Sequence, residues 1–159
     1  MGLFRKIFAT GRVTEALPPV QEPVPEGLPA ALRGSLQLRH VDAGSCNGCE
    51  IEIGGCFGPV YDAERLGVRL VASPRHADGL IVTGPGTRNM ATPLAKWWEA
   101  PPDPKVVVAV GGCALGCGAF EGGYGVVGGV DEVLPVDVRV AGCPPDPAAI
   151  IAALRQVTG

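Results

Sequence analysis

The stretch KVVVAVGGC, residues 105–113, constrains the fold more than any other part of the chain. Its apolar run is short and rich in β-branched valine, so it reads as a strand. No polar residue alternates with the valines. Both faces of the strand therefore need cover, as in the middle of a parallel sheet flanked by helices. The run ends at Gly111-Gly112 and delivers Cys113 into a loop. Two more strand-like stretches end in the same way. SLQLRHVD (35–42) alternates apolar and polar residues, with Leu36, Leu38 and Val41 expected inside, and leads directly to Cys46 and Cys49. EVLPVDVRVAGC (132–143) supplies one or two short strands and ends at Cys143.

The remaining segments complete a βα rhythm. GVRLVAS (67–73) and GLIVTGPG (79–86) are apolar strands, each followed by a turn. NGCEIEIGGCF predicts a short helix starting near Asn47 and stopping at Gly54-Gly55. NMATPLAKWWEA (89–100) has helical character. DPAAIIAALRQVTG (146–159) is a helix with Asp146 as N-cap and Pro147 at its first position. This alternation predicts an α/β domain with a mainly parallel, doubly wound sheet. Loops at the C-terminal ends of such strands gather along one edge and hold the functional site. The three cysteine loops are thus expected to meet in space.

Ahead of this domain, MGLFRKIFATGRV places Leu3, Phe4, Ile7 and Phe8 at helical spacing beside Arg5, Lys6 and Arg12. Residues 1–16 read as an amphipathic segment, docked on its own domain or lying on a membrane surface or membrane subunit. LPPVQEPVPEGLPA opens a Pro-rich, extended linker over 17–33. The globular domain is expected over 34–159. Lys6 stands where a myristoylation signal needs Ser or Thr, and residues 1–16 lack the pattern of a secretory signal. No apolar stretch reaches the ~18 residues that suggest a transmembrane helix. A formal charge of −3, with no basic block beyond Arg5-Lys6, argues against nucleic-acid binding. Hydrophobic residues make up 47% of the chain and charged ones 18%. That balance favours apolar surface covered by partner subunits.

Six cysteines need a chemical reason. A disulfide framework is disfavoured without export. Cys46 and Cys49 alone would make a redox dithiol, but this leaves the glycine-rich loops of Cys113 and Cys143 unexplained. Four thiolates would also suit structural zinc, which usually draws on two local C-x-x-C knuckles where this chain has one. A C-x-x-C pair plus two remote cysteines suits a [4Fe–4S] cluster, whose irons occupy the corners of a cube. The best quartet is Cys46, Cys49, Cys113 and Cys143. Glycines beside them allow backbone to approach inorganic sulfide. Cys56 and Cys117 are expected to be buried, inert thiols.

SCNGCEIEI, GGCALGCGAFEGGYGVVGG and GCPPDP resemble the proximal-cluster motifs of [NiFe]-hydrogenase small subunits. RLVASPRHADGLIVTGPGTRNMATPL resembles the related 20 kDa-type subunit of respiratory complex I. The likeness covers roughly residues 36–155. It implies a flavodoxin-like α/β domain binding one [4Fe–4S] cluster through Cys46, Cys49, Cys113 and Cys143. Complex I subunits of this type place their first two cluster cysteines side by side. Here Asn47 and Gly48 separate them and Glu50 follows, which is the hydrogenase form. Neither the twin-arginine signal nor the C-terminal cluster domain of uptake hydrogenases is expected. The resemblance therefore points to the compact small subunit of a membrane-bound, energy-converting (group 4, formate hydrogenlyase-like) hydrogenase.

The implied role is to relay electrons between a ferredoxin-like subunit and a catalytic large subunit, within a complex that has integral membrane subunits. The implied location is the cytoplasmic side of the inner membrane, as a peripheral subunit. The isolated chain is not expected to be catalytic. The alternative is the 20 kDa-type subunit of a quinone reductase, with a 49 kDa-like large subunit and the cluster as terminal donor to quinone. Glu50 has two readings, a proton-relay carboxylate or a carboxylate favoured by a helix N-terminus. Glu52 reads as solvated or in an interface salt bridge. Arg75 and His76 lie where the family has its inter-subunit surface; neither they nor Arg88 are expected to be catalytic.

Overall fold

The computed structural model describes residues 3–11 and 26–159. The N-terminal helix α1 (Leu3–Thr10) forms as the spacing predicts, and Leu3, Phe4, Ile7 and Phe8 are all exposed. The extended reading of the Pro-rich stretch falls mainly on residues 12–25, outside the described residues. Further on, a 3₁₀ turn at Ala30–Leu32 seats Leu32 in the core.

The domain then runs through β1 (Leu36–Asp42), α2 (Gly48–Cys56), β2 (Val68–Leu70) and β3 (Gly79–Thr83). It continues with β4 (Gly86–Thr87), α3 (Arg88–Glu99), β5 (Val106–Val110) and β6 (Val126–Gly128), and closes with β7 (Val138–Val140) and α4 (Pro147–Thr158). The main sheet has the order β2-β1-β3-β5-β7, and every pairing in it is parallel. In β3 and β5 every residue is buried, as their unbroken apolar runs require. One face packs Leu36, Leu38, Ile81, Val108 and Val140 against Ile53 of α2 and Ile150 and Leu154 of α4. The other packs Val41, Leu80, Val82 and Val107 against Leu94 of α3, with Val130 and Leu134. Helices on both faces give the doubly wound α/β architecture expected.

Two carboxylates fix the starting edge of the sheet. Asp78 Oδ2 accepts from the Gln37 amide and Asp137 Oδ2 from the Val107 amide, each at 2.7 Å. The register carries to the far edge, where Asp42 pairs with Thr83, Thr83 with Val110, and Val110 with Val140. The loops after β1, β3, β5 and β7 therefore leave the sheet at nearly one level. Asp146 caps α4 as expected, its Oδ1 accepting from the Ala149 amide at 2.7 Å.

Two local expectations are corrected. The helix after Asn47 does not stop at Gly54-Gly55 but runs to Cys56, because Ile53 and Cys56 on its inner side are buried. That packing overrides the weak helix propensity of glycine. The strand expected over 67–73 is reduced to Val68–Leu70 at the sheet edge, with Arg69 and Leu70 exposed. EVLPVDVRVAGC yields one strand, within the one or two expected, as Glu132 lies in a 3₁₀ turn and Leu134 drops into the core. A feature not foreseen is the small antiparallel pair β4–β6, whose strands are too short and glycine-rich to show periodicity.

Candidate functional site

The site is built on the sheet edge where β1, β5 and β7 end. After β1, Asp42 Oδ1 accepts from the Gly44 amide at 2.8 Å and the Ser45 amide at 2.7 Å, which turns the chain sharply. Burial pushes the Asp42 carboxyl up, but these amides outweigh it and hold the group below its ordinary range. Asn47 then takes a left-handed conformation at φ 68°, one that asparagine tolerates, and α2 begins. Cys46 ends the loop and Cys49 lies in the first helical turn. The loops after β5 and β7 are laced together. The Gly111 amide donates to Val140 O at 2.8 Å and the Gly112 amide to Gly142 O at 2.6 Å. This sets Cys113 and Cys143 side by side with the first loop.

All four predicted cysteines line one cavity of about 80 Å³, together with Ser45, Gly48, Gly84, Gly112 and Pro144. Their thiols are free, Cys46 and Cys143 exposed and Cys49 and Cys113 partly buried. Among the described residues no three His, Cys, Asp or Glu side chains close on a single-ion site. The four thiols rim a space instead. Backbone comes very close to two of them: a methyl group on Gly111 would collide with Cys49 Sγ, and one on Gly118 with Cys113 Sγ. Four soft donors around a glycine-walled cavity match what a [4Fe–4S] cluster requires. Burial pushes the Cys49 thiol up to about 11, with further contributions from Glu50 and then from Cys113, Cys46 and Cys143.

The two remaining cysteines lie elsewhere. Cys56 is fully buried between α2 and α4, its Sγ 3.6 Å from Pro147 O, and burial pushes it up to about 11. Cys117, expected to be buried, is instead exposed in the loop after β5, its thiol directed at Gly112 O at 3.5 Å, and it is absent from the cavity wall.

Glu50 stands in the first turn of α2, beside Cys49. Its Oε1 accepts from Ser45 Oγ at 2.7 Å and makes a short hydrogen bond with Thr83 Oγ1. Thr83 in turn lies 2.9 Å from His40 Nε2, which is 3.7 Å from Glu50 Oε1. Glu50 Oε2 is buried with no hydrogen-bond partner among the described residues. Burial lowers the His40 pKa, outweighing the raising effect of the Glu50 and Asp42 carboxylates; Arg39 adds to the lowering. Sequence reasoning missed Ser45, Thr83 and His40. The available signals were a histidine in an alternating strand and a threonine closing an apolar one.

Other sequence candidates lie away from the cavity. Arg75 and His76 occupy a 3₁₀ turn just before β3, at the sheet edge opposite the cysteines, and are exposed. Arg88 opens α3 with its guanidinium 4.9 Å from the centre of the Tyr124 ring. Glu52 is half-buried on α2.

Residues 46–157 match the family described as NADH ubiquinone oxidoreductase, 20 Kd subunit. Formate hydrogenlyase subunit 7 of Escherichia coli K12 is 45% identical over 128 residues, covering 80% of this chain and 50% of that protein. The chain thus spans half the length of that relative. A probable membrane-bound hydrogenase subunit, mbhJ, of Pyrococcus furiosus is 51% identical over 112 residues, covering 70% of this chain and 67% of that subunit. A chain of the membrane-bound sulfane sulfur reductase, an archaeal respiratory membrane complex, has TM-score 0.69 at 33% identity, covering 80% of this chain and 70% of that one. A chain of an NAD+-reducing [NiFe]-hydrogenase shares the fold, with TM-score 0.56 at 18% identity over 73% of this chain and 86% of that one. With the family match extending over most of the domain and across all four cavity cysteines, the chain belongs to the family of NADH ubiquinone oxidoreductase 20 Kd subunits.

Proposed function

We propose that the chain is the electron-transfer small subunit of a membrane-associated, [NiFe]-hydrogenase-type complex. Cys46, Cys49, Cys113 and Cys143 would hold one [4Fe–4S] cluster. The observation that carries this reading is the convergence of these four thiols, from loops after β1, β5 and β7, on one glycine-walled cavity. When bound, the cluster supplies one-electron storage, between a ferredoxin-like subunit on one side and a catalytic large subunit on the other. The chain's own residues shape that site. Asp42 folds the first loop, and Gly111 and Gly118 admit close backbone. The C-x-x-C spacing and the hydrogenase-named relatives support a hydrogenase-type partner. The family description supports a second reading, the 20 kDa-type subunit of a quinone reductase.

No described helix is long and apolar enough to cross a membrane. Two of the similar proteins are described as membrane-bound, which supports a peripheral subunit attached to integral membrane subunits. The cytoplasmic side of the inner membrane remains our assignment. Within the site, Glu50 is read as a proton-relay carboxylate. The buried, unpartnered Oε2 supports this over a purely dipolar role, because a helix N-terminus does not require a stranded oxygen.

Metal analysis with EPR of the reduced protein tests the cluster. Iron and sulfide with a cluster signal are expected; zinc without iron sinks the reading. Cys46→Ser, Cys113→Ser and Cys143→Ser should lose iron, while Cys56→Ser and Cys117→Ser should keep it. In the intact complex, Glu50→Gln should slow proton-coupled turnover by about 100-fold, within the range of general acid–base effects, and leave the EPR signal in place. Full turnover would remove the relay.

A further inference from the structure

We infer that His40, acting through Thr83, is a positioning residue that fixes the Glu50 carboxylate beside the Cys46–Cys49 loop. The inference rests on the reading of Glu50 as a functional carboxylate, and it adds two residues that the cavity does not contain.

Thr83 is fully buried and has a single hydroxyl proton to give. Two acceptors are within reach, Glu50 Oε1 and the more distant Val41 O at 3.5 Å. Thr83 Oγ1 and Glu50 Oε1 are hydrogen-bonded, so one hydrogen lies between the two oxygens. When the carboxylate is ionised, that hydrogen belongs to Thr83. The threonine oxygen is then left as an acceptor, and the atom facing it at 2.9 Å is His40 Nε2. His40 must therefore carry its proton on Nε2. The direction His40 to Thr83 to Glu50 is thus set by the acceptor-only carboxylate, with His40 at the more exposed end, 26% against 18% for Glu50. Burial favours neutral imidazole, which leaves one N–H and one tautomer to be chosen.

At the inner end, Ser45 Oγ donates to the same Oε1 at 2.7 Å and accepts from the Asn47 amide at 3.1 Å. Two hydroxyl donors on one oxygen hold the carboxylate in a single rotamer and leave Oε2 without a donor. Strand register supplies the rigidity, because β1 and β3 pair from Leu38–Gly79 to Asp42–Thr83. His40 and Thr83 thus sit on two adjacent strands of the sheet, while Glu50 lies in the first turn of α2 and Ser45 in the loop before it. The sheet orients the carboxylate; the loop follows.

The test uses the intact complex, with iron content, EPR g-values of the reduced cluster and turnover measured on each variant. Thr83→Val and His40→Leu remove the hydroxyl and the ring N–H with similar volume. Both should retain wild-type iron, shift the EPR g-values and lower turnover by on the order of 10- to 100-fold, as expected for a misplaced group. Thr83→Ser and His40→Gln keep a donor at each place and should recover most of both properties. Loss of iron from all four variants would make the chain of hydrogen bonds a mere scaffold and overturn the inference. Unchanged g-values in His40→Leu, with or without an effect of Thr83→Val, would also overturn it. If Glu50→Gln keeps full turnover while His40→Leu and Thr83→Val still shift the g-values and the donor-keeping variants restore them, the relay reading fails and the positioning role stands.

Discussion

Gly111→Ala is the most direct challenge to the glycine-walled cavity. Gly111 has φ +96°, outside the regions open to residues with a side chain. Holding alanine there costs about 1–3 kcal/mol. Its Cβ would also overlap Cys49 Sγ. The sulfur would yield by leaving its rotamer, at roughly 0.5–1.5 kcal/mol. Otherwise the β5 loop would move and strain the 2.8 Å hydrogen bond from the Gly111 amide to Val140 O. The total is about 2–4 kcal/mol, against a typical domain stability of about 5–15 kcal/mol. The domain should therefore fold while the thiol rim is misshapen. Circular dichroism should show a native spectrum with a lowered melting temperature, and reconstitution should leave most chains without iron. Gly54→Ala is the matched control. It lies exposed on α2, a Cβ there meets nothing within 4 Å, and it should gain roughly 0.5–1 kcal/mol. Wild-type iron content and an unshifted melt in Gly111→Ala would refute the reasoning.

Two further outcomes concern protons. In the cluster-free chain at mildly alkaline pH, iodoacetamide should label the exposed Cys46, Cys117 and Cys143 first. Cys49 should lag, its rate climbing until pH nears its value of about 11, and buried Cys56 should be slowest; peptide mass spectrometry reads the order, and equal rates would contradict the burial argument. His40 has a folded pKa below its ordinary 6.5, so the folded state resists its protonation. Its contribution to stability is full above pH 6.5 and is lost as pH falls from there through the lowered value. Melting temperatures should fall across that window and the fall should flatten in His40→Gln. Asp42, also lowered, contributes stability that is full above 3.8 and is lost as pH falls below it, and the comparison with His40→Gln isolates the share of the histidine.

The sheet was legible because its chemistry is uniform. Leu36 and Leu38 alternate with polar neighbours while the residues of 106–110 do not, so strand type and the burial of these positions followed from side chains alone; Val41 is buried on the opposite face. The convergence of the cysteines was legible for the same reason: parallel strands put their C-terminal loops on one edge. What the sequence concealed depended on contacts between distant segments. Gly54 and Gly55 read as a stop until Ile53 and Cys56 are seen packed into the core. Thr83 resembles any β-branched strand residue, and only its register opposite Asp42 brings it to Glu50. The β4–β6 pair has no pattern of its own, since its partners find each other through the loop that starts α3.

The order of strands has a consequence for how the molecule is made. Cys143 enters only with β7, the last strand, which forms one border of the sheet. A chain growing from its N-terminus holds Cys46, Cys49 and Cys113 well before the fourth thiol exists. A group that bridges all four would be captured only once β7 has been made, and it would then tie β1 to β7. Closing so long a loop costs only slightly more entropy than closing a short one, because the cost grows with the logarithm of length. Release of that bond would act much like cutting a disulfide that spans the domain, loosening β7 and α4 together.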